Sequence, residues 1–228
     1  MRSIANYLII TFAFLFPQPG SSQSFELELS AFAINGLPGI HSYISAVESG
    51  KWVIIGGRLN GLHGWQPPFA FPTASQNTVI YVVDPVTSQV WSAGTSALPQ
   101  FTREHICASN HEFARMGDHL YVFGGYGFDT PSSDMITFPR ITAINIPQLI
   151  SDVMNQSGIS TNFRSINNNE AAITGGNARI LNGEIYLVMG HRFDGLYNPH
   201  NGPSFTQTYS EQIRKCEITD NGLSLIHI

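Results

Sequence analysis

Two nine-residue stretches carry the residue types best suited to gripping a ligand. GGRLNGLHG at residues 56–64 aligns without gaps to GHRFDGLYN at residues 190–198, so that Arg58 matches Arg192, Asn60 matches Asp194 and His63 matches Tyr197. A guanidinium presents five N–H donors in a planar fork, which suits a carboxylate or the hydroxyls of a sugar. The same donors can tie down loop carbonyls, and the residues alone leave both readings open. The Asn-Gly and Asp-Gly pairs inside these stretches are turn formers, because both tolerate positive φ. Trp65, Phe69, Phe71, Tyr126 and Tyr197 supply aromatic faces that can stack on a sugar ring or simply pack the loops that carry them. Glu112, within Asn110-His111-Glu112, is a candidate acid-base group if burial raises its pKa. Asn168-Asn169-Glu170 is a similar cluster. His41, His63, His105, His111, His119, His191 and His200 show no metal-ligand spacing of the HExxH kind, so no metal and no cofactor are assigned.

These residues need a scaffold, and a repeated unit supplies it. Residues 51–91 read KWVIIGGRLNGLHG, a Pro- and Phe-rich insert, and then NTVIYVVDPVTSQVW. The apolar, β-branched run 52–55 is a buried strand by composition and length. The doublet Gly56-Gly57 ends it where the backbone must turn or be closely approached. Asp84-Pro85 stops the next run, and residues 88–91 begin another. HLYVFGGYGFD at 119–129 repeats the strand and the doublet, and EIYLVMGHRFDGLYN at 184–198 repeats the strand and the loop. Matching Gly56, Gly124 and Gly190 gives spacings of 68 and 66 residues.

The unit resembles the kelch repeat, whose blade carries a Gly-Gly doublet after its second strand and a tyrosine, Asp-Pro and tryptophan across its third and fourth. The matching residues are Gly56-Gly57, Tyr81, Asp84-Pro85 and Trp91; the doublet recurs as Gly124-Gly125, whereas Gly190 is followed by His191. The resemblance spans residues 36–218 and is clearest in the first repeat. It implies an all-β, kelch-type β-propeller, with about three four-stranded blades present of a six- or seven-bladed ring. The blades fall at about 36–97, 98–166 and 167–222.

Composition agrees with a turn-rich β domain: 43% of residues are hydrophobic, 12% are charged, and there are 21 Gly and 13 Pro. A net charge of −5 argues against nucleic acid and anionic membranes as partners. Cys107 and Cys216 fall in different repeats and are expected as two buried free thiols rather than a disulfide.

Residues 1–22 have the order of a secretory signal peptide: Arg2, an apolar core at 4–16, a Pro/Gly break at 17–20, and small residues for cleavage after Ser22 or Ser24. The mature chain, 23–222, then carries no membrane segment and is secreted, periplasmic or on the cell surface, as in bacterial exported kelch-like proteins. The terminal LSLIHI, 223–228, is what a transposon-library adapter encodes in frame, so a non-biological tail and a longer natural protein are expected.

The first blade is expected at 41–47, 52–56, 78–83 and 89–93. The second is expected at 105–114, 119–123, 140–146 and 161–165, and the third at 171–180, 184–189 and 212–218, with its fourth strand further on. Gly50, Gly117-Asp118 and Asn182-Gly183 are the short turns. Residues 25–33 alternate as a strand, residues 147–154 read as a helical turn, and Asn155-Gln156-Ser157 is a formal glycosylation sequon. The long connections 58–77, 126–139 and 191–210 all join second to third strands. Strand alternation therefore puts them on one rim; long loops of this size are usually functional or disordered.

The function that follows is a binding module for a glycan or protein ligand, with Arg58, Asn60, His63, Tyr126, Arg192, Asp194 and Tyr197 marking the rim. The alternative is a sugar-modifying enzyme on the same scaffold, such as a sialic-acid mutarotase-like epimerase, with Glu112 as acid-base group and an arginine for the carboxylate.

Overall fold

The structure is a computed structural model that describes residues 26–62, 64–200 and 204–218, together with the backbone of Leu225–Ile226. The expected signal peptide and His63 lie outside the described residues. Residues 26–33 belong to a separate unit and are irregular and exposed, so the alternating strand expected there is not formed. Among the described residues no helix is long and apolar enough to cross a membrane.

Residues 34–228 build three four-stranded antiparallel sheets in succession. The first is a meander of β1 (Ile44–Glu48), β2 (Lys51–Ile55), β3 (Val79–Asp84) and β4 (Gln89–Gly94). Helix α1 (Gln100–Ile106) leads to the second, β5 (Glu112–Met116) and β6 (His119–Phe123), then a hairpin β7 (Tyr126–Asp129) and β8 (Asp134–Thr137), then β9 (Arg140–Asn145), helix α2 (Ile146–Met154) and β10 (Phe163–Asn167). The third has β11 (Asn177–Leu181) and β12 (Glu184–Val188), a hairpin β13 (His191–Gly195) and β14 (Phe205–Tyr209), and β15 (Arg214–Ile218), which pairs with a two-residue fourth strand, Leu225–Ile226. Each hairpin is inserted between the second and third strands of its sheet.

Three expectations are corrected. Residues 105–114 are not one strand: His105 ends a helix that begins after Pro99, and Cys107 caps it. The connections 126–139 and 191–210 are not irregular loops but hairpins, their strands alternating across Thr130–Ser133 and across residues 196–204. The turn expected at 147–154 is a full helix. Asn145 caps it by accepting from Gln148 N–H at 3.0 Å, Pro147 sits in its first turn, and Ile146, Leu149, Ile150 and Val153 bury one face.

Side-chain alternation assembles the core. On the second sheet Leu120, Val122 and Ile144 pack toward the first sheet against Ile44, Val53, Ile55, Ile80 and Val82, with α2 closing the layer. Tyr121, Phe123, Ile141 and Ala143 point the other way, against Ala178, Ile185, Leu187 and Cys216 of the third. Both cysteines are buried free thiols, as expected, and burial pushes each up to about 11.

Backbone ties between sheets repeat. Gly57 N–H donates to Ala108 C=O at 3.0 Å, and Gly125 N–H to Ile173 C=O at 2.9 Å. The carbonyls of Gly57, Gly125 and Gly190 in turn accept from Asn77, Phe138 and Ser210, each at 2.9 Å, where the third strand is approached. The structural equivalents are therefore Gly57, Gly125 and Gly190, one residue away from the sequence match of Gly56, Gly124 and Gly190. Gly56 (φ 64°) and Gly124 (φ 62°) correspond to Met189 (φ 62°), which holds the same left-handed conformation without being glycine. Such a φ costs an ordinary residue about 1–2 kcal/mol, and the Met189 side chain is 73% exposed and gains little there. Met189→Gly is accordingly expected to stabilise the protein by about 0.5 to 1 kcal/mol, net of the added chain entropy, in a denaturant melt.

Candidate functional site

The three long connections meet. Phe71 from residues 58–77, Tyr126, Phe128 and Met135 from the first hairpin, and Phe193, Leu196, Tyr197 and Phe205 from the second pack as one cluster. A Cβ added at Gly50, Gly117 or Gly183, in the short turns, would meet open space. Thr137 knits the hairpins together: its Oγ1 donates to Phe193 C=O at 2.7 Å, and its N–H donates to Asp194 Oδ1 at 3.0 Å. The Tyr126 hydroxyl donates to Gly195 C=O at 2.6 Å, and burial raises its pKa well above the usual phenol range.

A cleft of about 310 Å³ opens beside this cluster, lined by Phe71, Tyr126, Phe193 and Tyr197 on its apolar side. Its polar side is Asn110, Thr174, Gly175, His191 and Gln207. The rings hold one another edge to face: Phe71 and Tyr126 centroids are 5.1 Å apart at 89°, and those of Tyr126 and Phe193 are 5.1 Å apart at 87°. The backbone places the polar wall. Arg58, Tyr126 and His191 are structurally equivalent, each bridging the segment before an inner strand, at His41, Ser109 and Thr174. One residue beyond each bridge the chain turns through positive φ at Ser42 (55°), Asn110 (57°) and Gly175 (67°). Asn110 N–H donates to Ser42 C=O at 3.3 Å and Gly175 N–H to Asn110 C=O at 3.4 Å, so this turn recurs from one repeat to the next, and its second and third copies line the cleft. The Asn110 carboxamide and the His191 ring make no hydrogen bond to the described residues, and Gln207 has only a long one, 3.4 Å, to Tyr209. Desolvation lowers the His191 pKa and so favours the neutral ring, the form that can both donate and accept.

Of the rim residues expected from sequence, Tyr126 and Tyr197 line the cleft. Arg58 does not: it is 2% exposed, donates to Pro72 C=O at 2.7 Å and to Asn60 Oδ1 at 3.2 Å, and lies 5.2 Å over the Phe71 ring. It is a loop tie that sets Phe71 in place, and Asn60 is its partner. Arg192 is not its equivalent, because the true register pairs Arg58 with His191. It lies on the exposed edge of β13, 2.6 Å from Asp194, whose other oxygen holds the hairpins together. Neither arginine lines the cleft, and no Lys or Arg stands among its described lining residues. Asn110, His191, Phe193, Thr174 and Gln207 were not picked as rim residues; His191 was readable as the residue after the third doublet once Met189 is allowed the glycine place.

Glu112 lies behind the cleft rather than on it. It is 2% exposed, and its Oε1 accepts the Gly176 N–H just before the third sheet, while Oε2 is buried without a hydrogen-bond partner among the described residues. Desolvation pushes its pKa up to about 7, against the opposing pull of the Gly176 bond. The folded pKa exceeds the unfolded one, so the native state holds the proton between about 4.5 and 7 and stability falls as pH rises through that window. At about 1.4 kcal/mol per tenfold change in acidity the ceiling is about 3 kcal/mol. Glu112→Gln keeps the acceptor and removes the charge. It is expected to raise the melting temperature at pH 8, leave it nearly unchanged at pH 4.5, and flatten the profile between; an equal effect at both values would contradict this.

No family profile and no curated protein matches this chain. Among solved structures, similar chains include YjhT, 15% identical with a TM-score of 0.43, over 72% of this chain and 37% of that one. Another is an endosialidase of phage phi92, 13% identical with a TM-score of 0.34, over 78% of this chain and 27% of that one. This chain thus spans well under half the length of either.

Proposed function

We propose that this chain is part of an exported kelch-like β-propeller that binds a neutral carbohydrate in the cleft between its long connections. The propeller reading is supported by three meanders joined by the same doublet-to-carbonyl bond at each step. The carbohydrate reading rests on one observation: four aromatic rings drawn from all three connections face three polar side chains with little or no hydrogen bonding to the described residues. Apolar faces with a few convergent amide and imidazole groups suit a pyranose, whose axial C–H face stacks while its hydroxyls need donors and acceptors together. A secreted, periplasmic or surface location follows from the signal-like residues 1–22. The epimerase alternative draws on Glu112, which the Gly176 bond directs away from the cleft lining.

A glycan array carrying neutral, sialylated and sulfated sugars, probed with the full chain, tests this. Neutral sugars should be retained, and the double variant Asn110→Gly/Gln207→Ala should weaken their binding about tenfold or more by removing two neutral hydrogen-bonding groups. Glycine at 110 keeps the positive φ, so the melting temperature should hold. Retention of anionic sugars alone, full binding by the double variant, or retention of no sugar would overturn the proposal.

A further inference from the structure

A second aromatic surface stands beside the cleft on the same two connections. Trp65, Gln66, Phe69, Gly64 and His200 line an open depression of about 460 Å³, with the Trp65 and His200 rings 6.3 Å apart. Trp65 is 68% and Phe69 72% exposed, which is unusual for rings of this size on a loop that is locked. The lock is visible in the backbone. Gly64 N–H donates to Phe69 C=O at 3.0 Å, and Phe69 and Ala70 N–H donate to Gln66 C=O at 2.9 and 3.0 Å. A Cβ at Gly64 would come within 2.6 Å of the Phe69 Cβ, so the tight turn needs glycine. Ala70 is buried beneath it, and Arg58 clamps the far end through Pro72 C=O. The rings are therefore held outward by the fold.

From this placement, and resting on the carbohydrate reading of the cleft, we infer that the protein binds a sugar chain rather than a single sugar, with Trp65 and Phe69 stacking on a neighbouring residue of the chain. Continuity carries the inference. Phe71 on the cleft and Phe69 on the depression are two residues apart, and Tyr197 and His200 are three apart. Three residues of chain reach at most about 11 Å, so an oligosaccharide seated in the cleft extends directly over the second surface. Gln66 and His200 flank the rings as hydroxyl partners, repeating the aromatic-plus-amide-plus-imidazole chemistry of the cleft.

The test is a titration of the full chain with cello-, xylo-, manno- and galacto-oligosaccharides of one to six residues, against wild type, Trp65→Ala and Gln66→Ala. Wild type should bind chains of three or more residues at least tenfold more tightly than the corresponding single sugar. Trp65→Ala should abolish most of that advantage and leave the single-sugar affinity unchanged, with Gln66→Ala intermediate and all melting temperatures equal. A length advantage that is missing in wild type, or that survives in Trp65→Ala, overturns the extended site alone. If no sugar of any length binds wild type, the cleft reading falls and the extended site falls with it.

Discussion

Gly124→Ala is expected to destabilise the protein by about 4 kcal/mol or more, and Gly56→Ala by nearly as much, which are large losses for a single methyl group. Two effects add. Both glycines sit at left-handed φ, 62° and 64°, which costs alanine about 1–2 kcal/mol. The larger effect is steric: a Cβ on Gly124 would run into Ile173 C=O and stand 2.8 Å from Ala171 C=O, and one on Gly56 would run into Ile106 C=O. These are backbone atoms of the segments that lead into the next sheet, so they move only if those segments shift away from the second strand. Gly50 is the control, since its φ is 74° but open space surrounds it. Gly50→Ala should cost only the conformational part. Urea melts of the three variants decide the matter, and a Gly124→Ala cost no greater than that of Gly50→Ala would refute the role of the doublet as an inter-sheet joint.

The second large effect is expected at Arg140, which lies buried between the rings of Phe101 and Phe138 at 4.2 and 4.5 Å. Its Nη2 is 2.6 Å from Asp129 Oδ1, its Nη1 donates to Phe101 C=O at 3.1 Å, and Glu104 Oε2 lies 3.7 Å away. One side chain thus fastens α1 and the first hairpin to the second sheet. Arg140→Met keeps the stem but strands the Asp129 carboxylate in a site 6% exposed, which typically costs about 3–5 kcal/mol. Adding Asp129→Asn should restore part of the loss, giving a coupling of about 1–3 kcal/mol in a double-mutant cycle. A cost below about 1 kcal/mol would mean that the pair behaves as a solvated surface contact.

Much of the scaffold was readable because short-range chemistry determines it. The turns at Ser49-Gly50, Gly117-Asp118 and Asn182-Gly183 close two-residue hairpins with positive φ at Ser49, Gly50, Gly117, Asn182 and Gly183. The doublets mark the ends of the second strands. What was not readable depended on tertiary partners. Helix α1 is seven residues long and has no side-chain cap, so its apolar residues merge by eye with the strand that follows; Pro99 was its one local signal. The inserted hairpins are buried only through tertiary partners: each other by way of Thr137, Tyr126 and Phe193, Phe71 of the first connection, and Arg140.

The site was misread for a related reason. Arginine in a long connection looks like a ligand contact, and only the fold reveals that Arg58 spends its donors on Pro72 and Asn60. The equivalence of Arg58 and Arg192 failed by one residue because Met189 adopts the conformation that glycine holds in the other two repeats. Tyr126 and Tyr197 were found, whereas the polar wall of Asn110, His191 and Gln207 comes from three separate segments that no spacing connects.

Binding in the cleft is tested most directly by following the histidine ring signals in NMR spectra while a neutral sugar retained on the array is titrated into the full chain. His191 lines the cleft with its ring uncommitted, whereas His119 opens β6 next to the Gly117 turn on the opposite rim. The His191 ring signals should shift in proportion to saturation while those of His119 stay fixed. A titration that reaches saturation with His191 unmoved would place the sugar elsewhere and contradict the assignment of the cleft.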